Sequence, residues 1–172
     1  DHRDLHSFPT RRSSDLQVYR VERILTDGEA PVERCETFPG GSAANTIYGL
    51  AKLGMRTGLI GAVGSDEEGR MLLDDLKSVG VDTGKIKVKQ NAKTGSVLCL
   101  ADRRGRRALY VSPGANSLLT RQDIDLSYIN QSKALYLSSL VDGEELRGKR
   151  AAAQCLSSSL RLSFAPGAIY AR

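Results

Sequence analysis

Apolar and polar positions along the chain follow two alternating periodicities. Residues 18–25 and 32–38 are rich in Val, Ile, Tyr and Phe, and a Thr-Asp-Gly turn lies between them. This pattern predicts two short strands. After the Pro-Gly-Gly interruption at 39–41, apolar residues recur at helical spacing. They predict a helix that begins with Ser42 as its cap and runs to about Leu53.

A buried strand and a second helix are predicted next. Residues 57–63 form an apolar run punctuated by glycine, which is typical of a buried parallel strand. Ser65 and Glu68 have the spacing of a capping box, so we expect Ser65 to cap a helix that ends at Gly80. The order helix, strand, helix predicts a doubly wound α/β sheet.

The pattern changes in the middle of the chain, where three strand-like segments follow one another without helices. Together with the first two strands they predict one small antiparallel sheet outside an α/β body. The predicted small sheet comprises about 17–39 and 85–112, with the three later strands at 85–89, 96–101 and 108–112. The predicted body comprises about 40–84 and 113–172, with a strand at 134–138, a helix at 143–156 and a strand at 161–164.

Composition narrows the class of protein. With 40% hydrophobic and 26% charged residues, the chain is typical of soluble globular proteins, and no apolar run approaches the ~20 residues that span a bilayer. The net charge of +5 has its densest source in the arginines of residues 103–107, around Gly105. No aromatic residues lie between these arginines as stacking platforms, so the segment predicts a solvated hairpin turn. A non-catalytic nucleotide- or nucleic-acid-binding α/β module remains the alternative function.

The three cysteines, Cys35, Cys99 and Cys155, are widely spaced and odd in number. They fit neither a disulfide framework nor a metal site, and each lies in or beside an apolar stretch. We therefore expect free thiols that behave as small core residues, in a reducing, cytoplasmic setting.

The first sixteen residues show neither the helical nor the strand periodicity of apolar positions, and they contain both histidines of the chain. The segment resembles the in-frame translation of a common short-read sequencing adapter along its whole length. We therefore expect residues 1–16, including Asp15, to be foreign to the protein, whose own sequence then enters near Gln17 in mid-gene. Without this segment the chain has no histidine, which excludes histidine acid–base catalysis and Ser-His-Asp triads.

The most informative motif is the Gly40-Gly41 pair followed by Asn45. Paired glycines before a helix let backbone amides approach a ligand that a Cβ would obstruct. Asn45 lies one turn into the helix, where its amide can donate to and accept from a hydroxyl. Taken alone, this motif favours a plain helix start that has a surface asparagine over a ligand site.

Several motifs together resemble the ribokinase (PfkB-type) family of sugar and nucleoside kinases. Gly40-Gly41, Asn45, Gly54 and Gly64 reproduce the spacing of the family's first signature. One position departs from it, because Ile47 stands where the pattern usually has Ser, Thr or Ala.

Further resemblances follow in the order that the family has them. Residues 61–69 resemble its Gly-x-Asp-x-x-Gly turn, Thr94-Gly95 the start of its substrate-covering strand, and residues 113–116 the turn at which that lid returns to the body. Ala165 stands where the family often has Asp or Asn before Pro. The resemblance covers about residues 17–172.

The resemblance implies an incomplete ribokinase-like doubly wound α/β sheet with a small antiparallel β lid. It implies a sugar or nucleoside site made by Gly40, Gly41 and Asn45, with Ala115 and Asn116 closing it from the lid hinge. Thr94 is expected to face either the substrate or, by strand alternation, solvent. Asp66 is expected mainly to cap its helix and secondarily to shape the site. The implied parent protein is a cytoplasmic, ATP- and Mg²⁺-dependent kinase, and a homodimer through the lid is one possible assembly.

The resemblance also implies what the chain lacks. The family's catalytic base and phosphate-binding amides come from a Gly-Ala-Gly-Asp turn in its C-terminal half, and no such motif occurs here. We therefore expect the catalytic residue and the nucleotide-binding half beyond Arg172, and no kinase activity from the 172-residue chain by itself. No dinucleotide fingerprint is present, which argues against an oxidoreductase. Ribose, another sugar and adenosine all remain open as substrates.

Overall fold

The computed structural model describes residues 15–138 and 161–165. Three α-helices lie in these ranges: α1 Ser42–Lys52, α2 Glu67–Ser78 and α3 Leu126–Asn130. Short 3-10 helices lie at Gly114–Leu118 and Arg121–Asp123. The strands of the same ranges are β1 Asp15–Val21, β2 Val32–Pro39, β3 Gly61–Gly64, β4 Ile86–Lys89, β5 Ser96–Asp102, β6 Arg107–Ser112, β7 Ala134–Ser138 and β8 Arg161–Ala165.

Four strands form one sheet, in the order β2-β1-β5-β6, which we call the small sheet. β1 pairs with β2 and β5 with β6 in antiparallel fashion, whereas the central pair β1–β5 is parallel. The prediction of a purely antiparallel sheet is therefore wrong at its centre. β1 and β5 are each the first strand of a hairpin, and the two hairpins join side by side through these strands, which run in the same direction.

The segment predicted at 85–89 does form a strand, but it does not join the small sheet. β4 pairs in parallel with β3, and Ile86 of β4 is buried in the same core cluster as Val63 of β3. The predicted strand at 57–63 is also shorter than expected, because before β3 only an isolated bridge joins Gly58 to Asp82. β3 and β4 thus belong to the body of the molecule.

The main core lies where α1 and α2 meet β3 and β4. Tyr48 of α1, Leu72 and Leu76 of α2, and Val63 and Ile86 of the two strands form one buried cluster. Each helix turns one apolar face toward this cluster, as its helical spacing predicts. The core therefore fixes the two helices, and with them the turns that precede them.

The helix ends are as predicted at their C-termini and differ at their N-termini. Gly54 and Gly80, with φ of 83° and 81°, follow the C-cap residues Leu53 and Val79 of α1 and α2. Asp66 caps α2 by accepting from the backbone N–H of Gly69, so the prediction that Ser65 is the cap is wrong. Ser42 is likewise not the cap of α1, because it is the first helical residue and Gly41 precedes it as N-cap.

β7 and β8 form a second parallel pair, in which Ser138 lies opposite Ala165. The predicted helix at 143–156 and Cys155 lie outside the described residues. Cys99 is buried, as predicted, but the prediction of a core position is wrong for Cys35, which is exposed on the edge strand β2. No helix in the described ranges combines the length and apolar character needed to cross a membrane.

Candidate functional site

The first group of predicted site residues lies at the start of α1. Gly40 is buried, and Gly41 adopts φ of 91°, a backbone conformation that disfavours side chains. The Asn45 backbone N–H donates to the Gly41 carbonyl at 2.9 Å, which closes the first helical turn. The Asn45 side chain is exposed and makes no hydrogen bond to any residue in the described ranges. Its amide is therefore available to a ligand.

A tyrosine from a distant strand reaches the same turn. The hydroxyls of Tyr136 on β7 and Ser42 on α1 lie 3.2 Å apart and form a hydrogen bond. The sequence pattern predicted β7 as a buried strand and gave no sign that Tyr136 meets α1, because the two residues are 94 positions apart. Tyr136 thus adds a phenol to the polar groups around Asn45.

The second group lies where the chain leaves the body for β5. Thr94 is only 9% exposed, and its backbone N–H donates to Asp66 Oδ2 at 2.7 Å. Its hydroxyl donates to Asp66 Oδ1 and accepts from the backbone N–H of Gly64 at 3.0 Å. Gly69 donates to the same Oδ1 at 3.0 Å. We call Asp66, Thr94, Gly64 and Gly69 the Asp66 network.

The Asp66 network holds an ionised carboxylate. Partial burial pushes the pKa of Asp66 upward, but the hydrogen bonds from Thr94 and Gly69 outweigh this effect and leave the pKa below its usual value. A carboxylate that accepts three hydrogen bonds is a fixed structural anion. The predicted capping role of Asp66 is therefore confirmed, and the contact to Thr94 is a second role that local spacing did not reveal.

Ala115 and Asn116 meet Thr94 from the other side. The Ala115 backbone N–H donates to the Lys93 carbonyl at 2.8 Å, and Ala115 is completely buried. The Asn116 side chain lies against Gly95, where an added Cβ would be 2.9 Å from its Nδ2. The structure thus brings Thr94, Ala115 and Asn116 together.

The two groups stay separate in the described part of the chain, since no hydrogen bond there joins the start of α1 to the Asp66 network. A shallow open groove runs along the network and is lined by Gly64, Ser65, Asp66, Glu67, Arg70, Leu73 and Val88. The groove includes neither Asn45 nor Asn116. The free amide of Asn45 is therefore a better indication of a ligand site than this groove.

Comparison with known proteins identifies the family. A model described as pfkB family carbohydrate kinase matches residues 14–166. The chain belongs to this family.

Its relatives are considerably longer. The chain is 35% identical over 121 residues to an ATP-dependent ribose-1-phosphate kinase of Halopiger xanaduensis. This match covers 70% of the chain and 41% of the relative. It is 35% identical over 145 residues to a 5-dehydro-2-deoxygluconokinase of Geobacillus kaustophilus, covering 76% and 42%. The pfkB-family chain thus spans less than half the length of these two relatives.

A solved structure confirms the fold. The crystal structure of a ribokinase from Cryptococcus neoformans in complex with ADP has a TM-score of 0.75 and 23% identity, and the match covers 89% of this chain and 48% of that one. The predicted ribokinase-like α/β fold is therefore confirmed for the pfkB-family chain.

The basic segment of the pfkB-family chain forms the predicted hairpin turn between β5 and β6, with Gly105 at φ of 79°. Arg103 forms an ion pair with Glu33 of the β1–β2 hairpin, and Arg106 with Asp102 at 2.7 Å. Two of the arginines are therefore paired with carboxylates of the same sheet, which leaves less charge for a nucleic acid.

The described residues offer no recognisable binding site for a metal ion or a nucleotide. They contain no group of three His, Cys, Asp or Glu side chains arranged to hold a metal ion, and the chain has no P-loop lysine motif. We assign no step of nucleotide or metal chemistry to these residues.

Proposed function

We propose that the protein carrying this chain is an ATP-dependent, Mg²⁺-requiring kinase that phosphorylates a hydroxyl of a sugar, and that this chain supplies the sugar-binding part. The observation that supports it most is the family match over residues 14–166. The relatives named above act on ribose 1-phosphate and on 5-dehydro-2-deoxygluconate, which favours a sugar over a nucleoside as substrate.

The start of α1 is the proposed sugar site. Sugars are recognised by hydrogen bonds that both donate to and accept from hydroxyls, and the Asn45 amide can do both. The positive φ of Gly41 presents its backbone next to this amide without a side chain between them. The phenol of Tyr136, already bonded to Ser42, extends the polar surface. We propose that Gly40, Gly41 and Asn45 bind sugar hydroxyls.

The second group has a different proposed role. Thr94 and Ala115 have their polar groups committed to internal hydrogen bonds. We propose that they and Asn116 close the site by holding the small sheet in place above it, with Asn116 nearest to the sugar. We also propose that residues 1–172 alone transfer no phosphate, because the glycine-rich turn and base of the family's phosphate site do not occur in them.

A homodimer through the small sheet, in the cytoplasm, completes the proposal. Large apolar side chains are exposed on this sheet, among them Leu98 and Tyr110, which lie opposite each other on β5 and the edge strand β6. Exposed apolar surface of this kind marks an interface. Free Cys35 and Cys99 fit a reducing compartment.

The decisive experiment is a phosphorylation screen of the full protein with ATP and Mg²⁺. The acceptors are ribose, ribose 1-phosphate, fructose, 5-dehydro-2-deoxygluconate and adenosine, and ADP release is measured. We expect turnover with a sugar. Turnover with adenosine alone would move the proposal to a nucleoside kinase, and turnover with no acceptor would contradict it.

The Asn45→Ala variant tests the site itself. Loss of the amide removes two hydrogen bonds to the sugar, so we expect KM for the sugar to rise about 10- to 100-fold. Asn130→Ala, at another exposed helical asparagine, is the matched control and should leave KM unchanged. An Asn45→Ala enzyme with the KM of the wild type would exclude this residue from the sugar site.

A further inference from the structure

Asp66 serves two elements at once. Its Oδ1 accepts the Gly69 N–H that begins α2, and the same carboxylate takes both the N–H and the hydroxyl of Thr94. A cap needs only one of these bonds. The two bonds to Thr94 are therefore not needed for capping. They join α2 to the segment that leads into β5.

Close backbone packing on both sides of residue 94 reinforces this junction. At Gly69, an added Cβ would lie 2.5 Å from the Gly64 carbonyl oxygen and 2.8 Å from the Thr94 hydroxyl. At Gly114, beyond the end of β6, it would lie 2.8 Å from the Gly95 nitrogen. The start of β5 and the end of β6 thus meet the body at one place, held by the Asp66 network on one side and by Gly114 and Ala115 on the other.

The orientation of the small sheet affects the start of α1. β2 of this sheet continues through Gly40 and Gly41 into α1, and Asn45 follows one turn later. A rotation of the sheet about the β5–β6 junction would therefore displace the backbone that leads to Asn45. If only peptide bonds connected the small sheet to the body, the sheet could rotate about this junction. The hydrogen bonds of the Asp66 network oppose that rotation.

We propose that Asp66 is a positioning residue whose hydrogen bonds to Thr94 set the orientation of the small sheet over Gly41 and Asn45. This inference rests on the proposed function, because the positioned groups are the proposed sugar ligands. Asp66 itself does not touch the sugar.

The variants separate positioning from capping. In Asp66→Asn, an oxygen in the place of Oδ1 can still accept from Gly69 and from the Thr94 hydroxyl, but an amide nitrogen in the place of Oδ2 cannot accept from the Thr94 N–H. Thr94→Val removes the hydroxyl, whereas Thr94→Ser keeps it and should restore the wild-type behaviour. Asp74→Asn is the matched control. Asp74 lies on the exposed side of α2, and its substitution removes the same charge outside the network.

Two measurements on the full protein decide the proposal. Hydrogen–deuterium exchange reports the junction at residues 92–97, and titration calorimetry with steady-state kinetics reports sugar affinity, KM and kcat. For Asp66→Asn and Thr94→Val we expect faster exchange at 92–97 and a KM raised about tenfold, with kcat changed less than about threefold. Thr94→Ser and Asp74→Asn should match the wild type.

The proposal is overturned if Asp66→Asn leaves exchange at 92–97 unchanged, or if exchange rises while sugar affinity and KM stay at the wild-type values. A wild-type protein that phosphorylates none of the sugars contradicts the proposed function instead. Exchange and calorimetric sugar affinity would still decide the role of Asp66 in that case.

Discussion

At the scale of single residues, Gly95 shows how little space separates the small sheet from the body. A Cβ at this position would lie 2.8 Å from the Pro113 carbonyl oxygen and 2.9 Å from Asn116 Nδ2. The Pro113 carbonyl cannot move freely, because it accepts from the backbone N–H of Asn116 at 3.1 Å. The absence of a side chain at Gly95 is thus a condition for this packing.

We expect Gly95→Ala to lower the free energy of unfolding by about 1–3 kcal/mol, the usual cost of overpacking. Gly61→Ala is the control, since a Cβ there meets nothing within 4 Å and its φ is not positive. That variant should be neutral or slightly stabilising. Urea unfolding followed by circular dichroism gives both values, and equal stability of the two variants would contradict the packing described here.

Local spacing could predict a cap near residue 65 but not which side chain provides it. Ser65 and Asp66 are adjacent and both are good N-caps, and Glu68 completes the capping-box spacing for Ser65. Asp66, which is the actual cap, also accepts a hydrogen bond from Thr94, a residue 28 positions further along the chain. Likewise, the motif at Gly41 and Asn45 was visible in the sequence, whereas the approach of Tyr136 was not.

At the scale of elements, two ion pairs hold the segment after the small sheet against β4. Lys89 Nζ lies 2.8 Å from Asp123 Oδ2, and Lys85 Nζ lies 2.9 Å from Asp125 Oδ2. The hydrogen bond from Lys89 is the main cause of a pKa of about 2 for Asp123, and the backbone N–H of Thr120 adds to it. Lys85 likewise holds the pKa of Asp125 below its usual value.

These shifts predict a loss of stability in acid. Because the pKa of Asp123 is lower in the folded state than its ordinary 3.8, its contribution is complete above about pH 4 and is lost as the pH falls toward about 2. We expect Asp123→Asn to be less stable than the wild type at pH 6, with the difference vanishing near pH 2. Urea unfolding at pH 6, 4 and 2.5 measures this.

Asp74→Asn serves as the control for that series, since Asp74 makes only an exposed ion pair with Arg70. Its stability should equal that of the wild type at each pH. A difference between wild type and Asp123→Asn that persists unchanged from pH 6 to 2.5 would show that the carboxylate charge is not what stabilises this segment.

Periodicity located the strands well but could not select their partners. β6, β7 and β8 lie within one residue of their predicted bounds, yet β4 was placed in the wrong sheet, and the parallel β1–β5 pair was not expected in a sheet predicted to be antiparallel. Alternation of apolar and polar positions reflects burial of each face, and the same pattern is compatible with several neighbours. Pairing depends on contacts between residues far apart in the chain.

At the scale of the whole molecule, the small sheet has two faces with different exposure. Leu109 and Tyr110 are adjacent on β6 and so point to opposite faces. Leu109 lies opposite Cys99, which is 7% exposed, whereas Tyr110 lies opposite Leu98 and is itself 60% exposed. Leu109 itself is 51% exposed and Leu98 is 36% exposed, so at these two pairs the Tyr110 face is the more exposed one.

We expect Tyr110→Glu to dissociate the proposed homodimer and to leave sugar affinity unchanged, because the more exposed face is the one available to a second copy. Leu109→Glu, on the opposite face, should leave the dimer intact. Light scattering and titration calorimetry on the full protein measure the two properties. Identical effects of the two variants would contradict this division between the faces.

The parallel pairing of β1 with β5 also has a consequence for biosynthesis. Before β5 has been made, β1 pairs only with β2 among the described strands, and an isolated hairpin is marginally stable in water. Their partner β5 is made only after the whole of α1, α2, β3 and β4, since Val18 pairs with Cys99. The edge of β1 that pairs with β5 therefore stays open during synthesis until β5 has been made, and an unpaired strand edge of this kind exposes a nascent chain to aggregation.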